Sequence, residues 1–215
     1  MPVVDYIKDD FTEIITWNVT ETEQELLDYV NLTPVRLEKL QRMPHKQRLE
    51  YLGLRACLME LNSDLDVHYN EKGKPYLNND KNLSITHSYG LVSVALSAFY
   101  IGIDIEKKRD KKIMNIARKF LREDELEWIP ENEQYTNYLH IIWGIKEGLY
   151  KLNGGNLWNF LHHYRVEPFE TIENNKIICW ISDEQSSRKY FAYYKMIGEH
   201  YLVWVLDYDI HSHKV

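Results

Sequence analysis

LSITHSYGLVSVALSAFYIGIDIE, residues 83–106, holds three short runs rich in apolar and β-branched residues, with a Tyr-Gly pair between the first two. Leu83 to His87 and Leu91 to Ala98 are predicted strands joined at Tyr89-Gly90, and Tyr100 to Glu106 is predicted as a third, the pattern of an antiparallel meander. Upstream, Thr12 to Val19 reads as a strand and Thr22 to Tyr29 as a helix. A longer helical pattern from Pro34 to Leu61 is interrupted by Pro44, because an internal proline removes a hydrogen-bond donor and clashes with the preceding turn. A Gly-Lys-Pro loop occupies Gly73 to Pro75.

Downstream, Ile113, Ile116, Ala117, Phe120 and Leu121 recur at the spacing of an amphipathic helix. A further helix is predicted from about Tyr138 to Leu152, stopping at Gly154-Gly155. Lys176 to Ile181, Tyr190 to Met196 and Tyr201 to Tyr208 are predicted strands, with Gly198 in a turn. Helices and strands do not alternate strictly, which favours an α+β fold over a doubly wound parallel sheet.

The 215 residues are 44% hydrophobic and 27% charged, the composition of an ordinary globular protein. A chain of this size buries roughly 70% of its unfolded surface, so its core needs no disulfide or structural metal. Cys57 and Cys179, far apart and without ligand spacing, fit a reducing compartment. Nothing approaches the ~18 consecutive apolar residues of a membrane span, and a cytoplasmic location is expected. The net charge of −7 weighs against nucleic-acid binding. Lys107 to Arg122 nevertheless carries eight basic residues against one acidic, a surface for an acidic partner or simply a solvated basic helix.

In Gly102-Ile103-Asp104-Ile105-Glu106 side chains alternate, so Asp104 and Glu106 share one face of the strand. Two residues along a strand span about 7 Å, within reach of one cation, and magnesium typically takes one or two carboxylates. Two acids at a solvated strand end would look the same. Trp143, Lys146, Glu147, Tyr150 and Lys151 fall at i, i+3, i+4, i+7 and i+8, one face of a helix, with Ile142, Ile145, Leu149 and Leu152 opposite. That stripe could line a cleft or face water. His87, beside Thr86 at a strand end, could approach a phosphate, and Arg48 and Arg55, seven apart on a helix, could reach the same anion.

In order and spacing these pieces resemble the surfactin-type 4′-phosphopantetheinyl transferases. The family's Gly-Lys-Pro loop appears at Gly73, Lys74 and Pro75, its Ser/Thr-His element at Thr86 and His87, and its Gly-x-Asp-x-Glu strand at Gly102, Asp104 and Glu106. Its Trp-x-x-Lys-Glu-x-x-x-Lys helix is matched by Trp143, Lys146, Glu147 and Lys151. The resemblance implies two similar α+β halves, residues 1–100 and 101–215, related by a pseudo-twofold axis with the active site in the cleft between them. It further implies transfer of the phosphopantetheine arm of coenzyme A to a serine of an acyl or peptidyl carrier protein, releasing 3′,5′-ADP. Magnesium would sit on Asp104, Glu106 and Glu147. Coenzyme A would be held by Arg48, Arg55, Lys74, Pro75, Thr86, His87, Lys146 and Lys151. Glu147, directly or through a metal-bound water, would serve as general base and Lys151 would steady the departing phosphate. The acidic carrier would dock on Lys107 to Arg122, with Met114 or Phe120 joining the contact. The length favours a monomer over the trimers of shorter relatives. A metal-dependent phosphohydrolase and a non-catalytic coenzyme A-binding module are the competing expectations.

Overall fold

The computed structural model describes residues 2–30, 32–61 and 66–211. In chain order its elements are β1 (Val3–Lys8), β2 (Thr12–Asn18), α1 (Glu23–Val30), α2 (Pro34–Gln41), α3 (His45–Glu60), β3 (His68–Tyr69), β4 (Pro75–Tyr76), β5 (Asn82–Ser88) and β6 (Leu91–Ser97). There follow β7 (Ile101–Lys107), α4 (Asp110–Ile116), α5 (Glu123–Leu126), α6 (Tyr135–Leu152), α7 (Phe160–His163), β8 (Tyr164–Val166), β9 (Ile177–Ser182), β10 (Ser187–Ile197) and β11 (His200–Leu206). The fold is α+β, with one antiparallel sheet in the order β1-β2-β6-β5 and a second in the order β7-β11-β10-β9-β8.

The hairpin expected in residues 83–98 forms. Tyr89 and Gly90 make a two-residue turn in which both φ angles are positive, 47° and 88°, and Ser88 faces Leu91 across it. Such a turn matches the twist of the two strands. The third expected strand also forms but does not extend the meander. β7 pairs along its whole length with β11, from Ile101 opposite Leu206 to Lys107 opposite His200. Ile101, Ile103 and Ile105 thereby join Leu202, Trp204 and Leu206 in one core, which Ile14, Leu91 and Ala95 complete from the first sheet. That burial favours a strand partner about a hundred residues away over the neighbour in sequence.

Alternation along the strands gives each sheet a second apolar face. Ile15, Trp17, Val92, Val94 and Leu96 meet Leu52, Ala56 and Leu58 of α3. Val203 and Val205 meet Ile141, Ile142, Ile145 and Leu149 of α6. Glycine brings α6 unusually near its sheet: a Cβ on Gly102 would stand 1.9 Å from the Gly148 carbonyl oxygen, and one on Gly144 or Gly148 would stand 2.6 or 2.8 Å from a Val203 or Val205 methyl. Helix backbone and strand backbone therefore touch where Gly102 and Gly148 cross.

The free edges of the two sheets meet along β5 and β7 without joining by backbone hydrogen bonds. Ser84, Thr86 and Ser88 alternate toward β7, and their hydroxyl oxygens accept the amides of Ile103 at 3.0 Å, Ile105 at 3.1 Å and Lys107 at 3.2 Å. Side chains thus satisfy the edge donors that a further paired strand would otherwise take.

Candidate active site

Asp104 and Glu106 leave β7 on the side facing α6, as strand alternation requires, but they meet different cations. Asp104 is buried; its Oδ1 accepts from Lys151 Nζ at 2.8 Å and from the Thr86 hydroxyl at 3.3 Å. Its Oδ2 is buried and meets no hydrogen-bond partner among the described residues. Glu106 turns toward Arg109 at 3.5 Å and Lys112 at 3.9 Å. Arg109 is itself held against Tyr89, over its ring at 4.8 Å and on its hydroxyl at 2.6 Å.

Glu147, on the neighbouring face of α6, joins this group. Burial pushes its carboxyl up to about 7, with Asp104 and Glu106 adding to the shift and Lys151 opposing it. Three acids from two segments therefore lie within electrostatic reach of one another. Among the described residues, no three His, Cys, Asp or Glu side chains are gathered tightly enough to form a ready ligand set. The raised Glu147 and the unpartnered Asp104 oxygen nonetheless fit a divalent cation, since Lys151, Arg109 and Lys112 pair with Asp104 and Glu106 and none of them forms an ion pair with Glu147 among the described residues.

Beside the acids lies a cavity of about 180 Å³ lined by Lys72, Gly73, Lys74, Pro75, Ser84, Ile85, Tyr150, Lys151, Gly154 and Gly155. Lys74 reaches across from the Gly-Lys-Pro loop to donate to the Leu152 carbonyl at 2.7 Å, and burial lowers its pKa. Lys72 is bonded to Asn156, next to the Gly154-Gly155 turn. Lys151 belongs to both places, since it lines the cavity and touches Asp104 at 2.8 Å. Tyr150 comes from the helix stripe expected to line a cleft, whereas Lys72 and the Gly154-Gly155 turn were not among the expected site residues. The paired glycines, with φ of 69° and 71°, were the sequence sign of that turn.

Not every expected residue gathers here. His87 points away from Thr86, to the far face of β5, where Nδ1 lies 3.4 Å from Glu50 of α3. Arg48 is engaged by Glu23 at 2.9 Å and by the Met43 carbonyl at 3.2 Å. Arg55 is buried within α3. None of the three lines the cavity. Lys146, expected on the cleft stripe, is fully buried on another side of α6, donating to the Phe120 carbonyl at 2.6 Å and to Glu125 at 2.7 Å. Burial lowers it to about 8 despite Glu125. Glu125 also accepts the Val166 and Arg122 amides, so the pair ties together α5, α6 and β8.

The basic segment is divided in the same way. Lys107, Arg109, Lys112 and Arg122 are paired with Glu199, Glu106, Glu106 and Asp124, respectively. Lys111, Arg118 and Lys119 are exposed and make no ion pair among the described residues. Met114 is half exposed, whereas Phe120, expected as a possible contact, is fully buried against Trp143.

Residues 100–206 match the model of the 4′-phosphopantetheinyl transferase superfamily. The chain is 27% identical over 158 residues to the 4′-phosphopantetheinyl transferase gsp of Aneurinibacillus migulanus, covering 70% of this chain and 62% of that protein. It is 28% identical over 139 residues to the 4′-phosphopantetheinyl transferase Sfp of Bacillus subtilis (strain 168), covering 59% of this chain and 62% of the relative. A further 4′-phosphopantetheinyl transferase of Bacillus subtilis is 34% identical over 91 residues, 40% of each chain. The match thus spans less than two thirds of the length of the first two relatives.

Proposed function

We propose, from the premise that this chain belongs to the 4′-phosphopantetheinyl transferase superfamily, that it moves the phosphopantetheine arm of coenzyme A onto a serine of an acyl or peptidyl carrier protein. The observation that carries this is the double place of Lys151, in the wall of a lysine-lined cavity and on the buried Asp104. A diphosphate whose nucleotide end entered between Lys72, Lys74 and Pro75 would bring its reacting phosphorus to Lys151, beside the acids. Positioning and charge neutralisation of this kind dominate phosphoryl transfer.

Asp104, Glu106 and Glu147 are the residues that would hold a magnesium ion. When bound, the ion would draw negative charge from the diphosphate and orient it. The chain's own groups do the rest. Lys74 and Lys151 hold phosphate oxygens. Glu147, directly or through a water it holds, takes the proton of the carrier serine as its oxygen forms the new bond to the β-phosphorus. The bond from that phosphorus to the 3′,5′-ADP oxygen breaks, and Lys151 steadies the charge that leaves. Lys146 is buried against Glu125, and Arg48, Arg55 and His87 lie outside the lysine-lined cavity, so the reading rests on Lys74 and Lys151. The exposed Lys111, Arg118 and Lys119, with Met114, offer an acidic carrier a surface a short way along the chain from Glu106.

Incubation of the protein with coenzyme A, magnesium and apo carrier proteins of both kinds, followed by mass spectrometry, tests the assignment. A phosphopantetheine adduct on the carrier serine is expected. Coenzyme A breakdown in the absence of any carrier, with no adduct on acyl or peptidyl carriers, would identify a phosphohydrolase instead.

A further inference from the structure

Thr86 was expected to bind coenzyme A; in this structure its hydroxyl is engaged within the protein. A threonine hydroxyl has one proton to donate and two lone pairs to accept with. In this buried side chain, the proton goes to Asp104 at 3.3 Å, one lone pair takes the Ile105 amide at 3.1 Å and the other takes Lys151 Nζ at 3.1 Å. The neighbouring Ser84 and Ser88 accept only the Ile103 and Lys107 amides, so of the three hydroxyls on the seam Thr86 alone reaches the acid and the lysine.

We propose that Thr86 is a positioning residue: it ties the junction between the two sheets to the Asp104–Lys151 pair and so fixes where Lys151 meets the reacting phosphate. The proposal rests on the transferase assignment for its consequence but not for its geometry. Lys151 has three hydrogen-bond partners in this structure, the Thr86 hydroxyl, the Ile103 carbonyl and Asp104; to meet a phosphate it exchanges Asp104 for a phosphate oxygen while the hydroxyl and the carbonyl keep their hold. Without the hydroxyl, Lys151 loses the contact that comes from the first sheet, and Asp104 loses its neutral donor among the described residues. Supporting groups of this sort hold a reacting constellation within a fraction of an ångström.

The test uses Thr86→Val, which keeps the shape and removes the hydroxyl, Thr86→Ser, which restores it, and Ser88→Ala, which removes a seam bond alone. Substrates are coenzyme A and its analogue lacking the 3′-phosphate. Thr86→Val is expected to lower kcat by about ten- to a hundredfold, the effect of removing a hydrogen bond to charged groups, equally for both substrates and with KM for coenzyme A little changed. Thr86→Ser should recover most of the rate, and Ser88→Ala should leave it close to wild type. A Thr86→Val defect confined to KM and absent with the dephosphorylated analogue would make Thr86 a phosphate ligand and overturn the proposal. Amide hydrogen exchange supplies an arm independent of transfer activity: in Thr86→Val the Ile105 amide should exchange faster, while those of Ile103 and Lys107 hold. Unchanged protection at Ile105 would refute the geometry even if the protein transferred nothing. Exchange as expected together with an inactive wild type would instead sink the transferase assignment alone.

Discussion

Replacing Gly102 by alanine puts the closest contact of the fold under load. A Cβ there would lie 1.9 Å from the Gly148 carbonyl oxygen, 2.8 Å from the Gly148 carbonyl carbon and 2.9 Å from the Leu152 amide nitrogen. Carbon and carbonyl oxygen rest at about 3.3–3.6 Å, so α6 and β7 must part by roughly 1.5 Å where they cross. All the nearest atoms are backbone, and no rotamer change can absorb the displacement. Overpacking of a tight core costs about 1–3 kcal/mol or more, which for a chain of this length lowers the melting temperature by about 2–4 °C per kcal/mol. The same movement carries Glu147 and Lys151, which flank the crossing on α6, away from Asp104 on β7. A misplacement of about 1 Å can cost roughly a hundredfold in rate.

The assay is a thermal melt and an initial rate of carrier modification for Gly102→Ala, beside Gly144→Ala as a control. At Gly144 the new Cβ meets a side chain, Val203 Cγ2 at 2.6 Å, so Gly144→Ala combined with Val203→Ala should regain much of the lost stability. No valine truncation should rescue Gly102→Ala, because its obstacle is the helix backbone. A Gly102→Ala protein that melts like wild type, or that Val205→Ala restores, would refute the reasoning.

Glu147 makes a prediction about pH. Its folded value of about 7 lies above the 4.5 of a free glutamate, so between these values the folded chain holds the proton more tightly than the unfolded one. Stability therefore falls as pH rises from 4.5 to 7, by at most about 3 kcal/mol for a shift of this size. Glu147→Gln should raise the melting temperature above that of wild type at pH 8 and lose that advantage near pH 4.5; equal melting at pH 8 would contradict the raised value. On the basic surface, reversing Lys111 and Lys119 to glutamate should raise KM for an acidic carrier and flatten its dependence on salt, and an unchanged rate at low salt would move the docking surface elsewhere.

Much of the local structure was legible because it is set by local chemistry. The Tyr89-Gly90 turn, the break at Pro44 and the end of α6 near Gly154-Gly155 each follow from a residue whose backbone preference is strong. β1 was not legible: Val4 and Tyr6 face outward, while Asp5 faces inward to meet Lys195 at 2.6 Å, so the apolar period is broken by a partner 190 residues away. Lys146 failed for a related reason. Helical spacing put it on the stripe with Glu147, but residues 120–125 fold over that side of α6 and turn a polar position into an interior one. The acids themselves were placed on the right face of β7 by alternation, and only the tertiary fold could say which cation each would meet.

A buried aspartate such as Asp104 is costly unless its charge is met by donors or an opposite charge. Here the compensation comes from three directions. β11 fixes the register of the strand that carries it, Thr86 reaches it from the first sheet, and Lys151 reaches it from a helix that can come near only because residues 102 and 148 are glycines. Each support belongs to a different stretch of chain, so the pair exists only when both sheets and α6 are in place. One oxygen of Asp104 is still left without a partner after all three have acted. A stability-driven site would have paired that atom or replaced the acid with an apolar side chain. Its retention beside a raised Glu147 and a cavity of lysines is what a site made for a charged ligand requires.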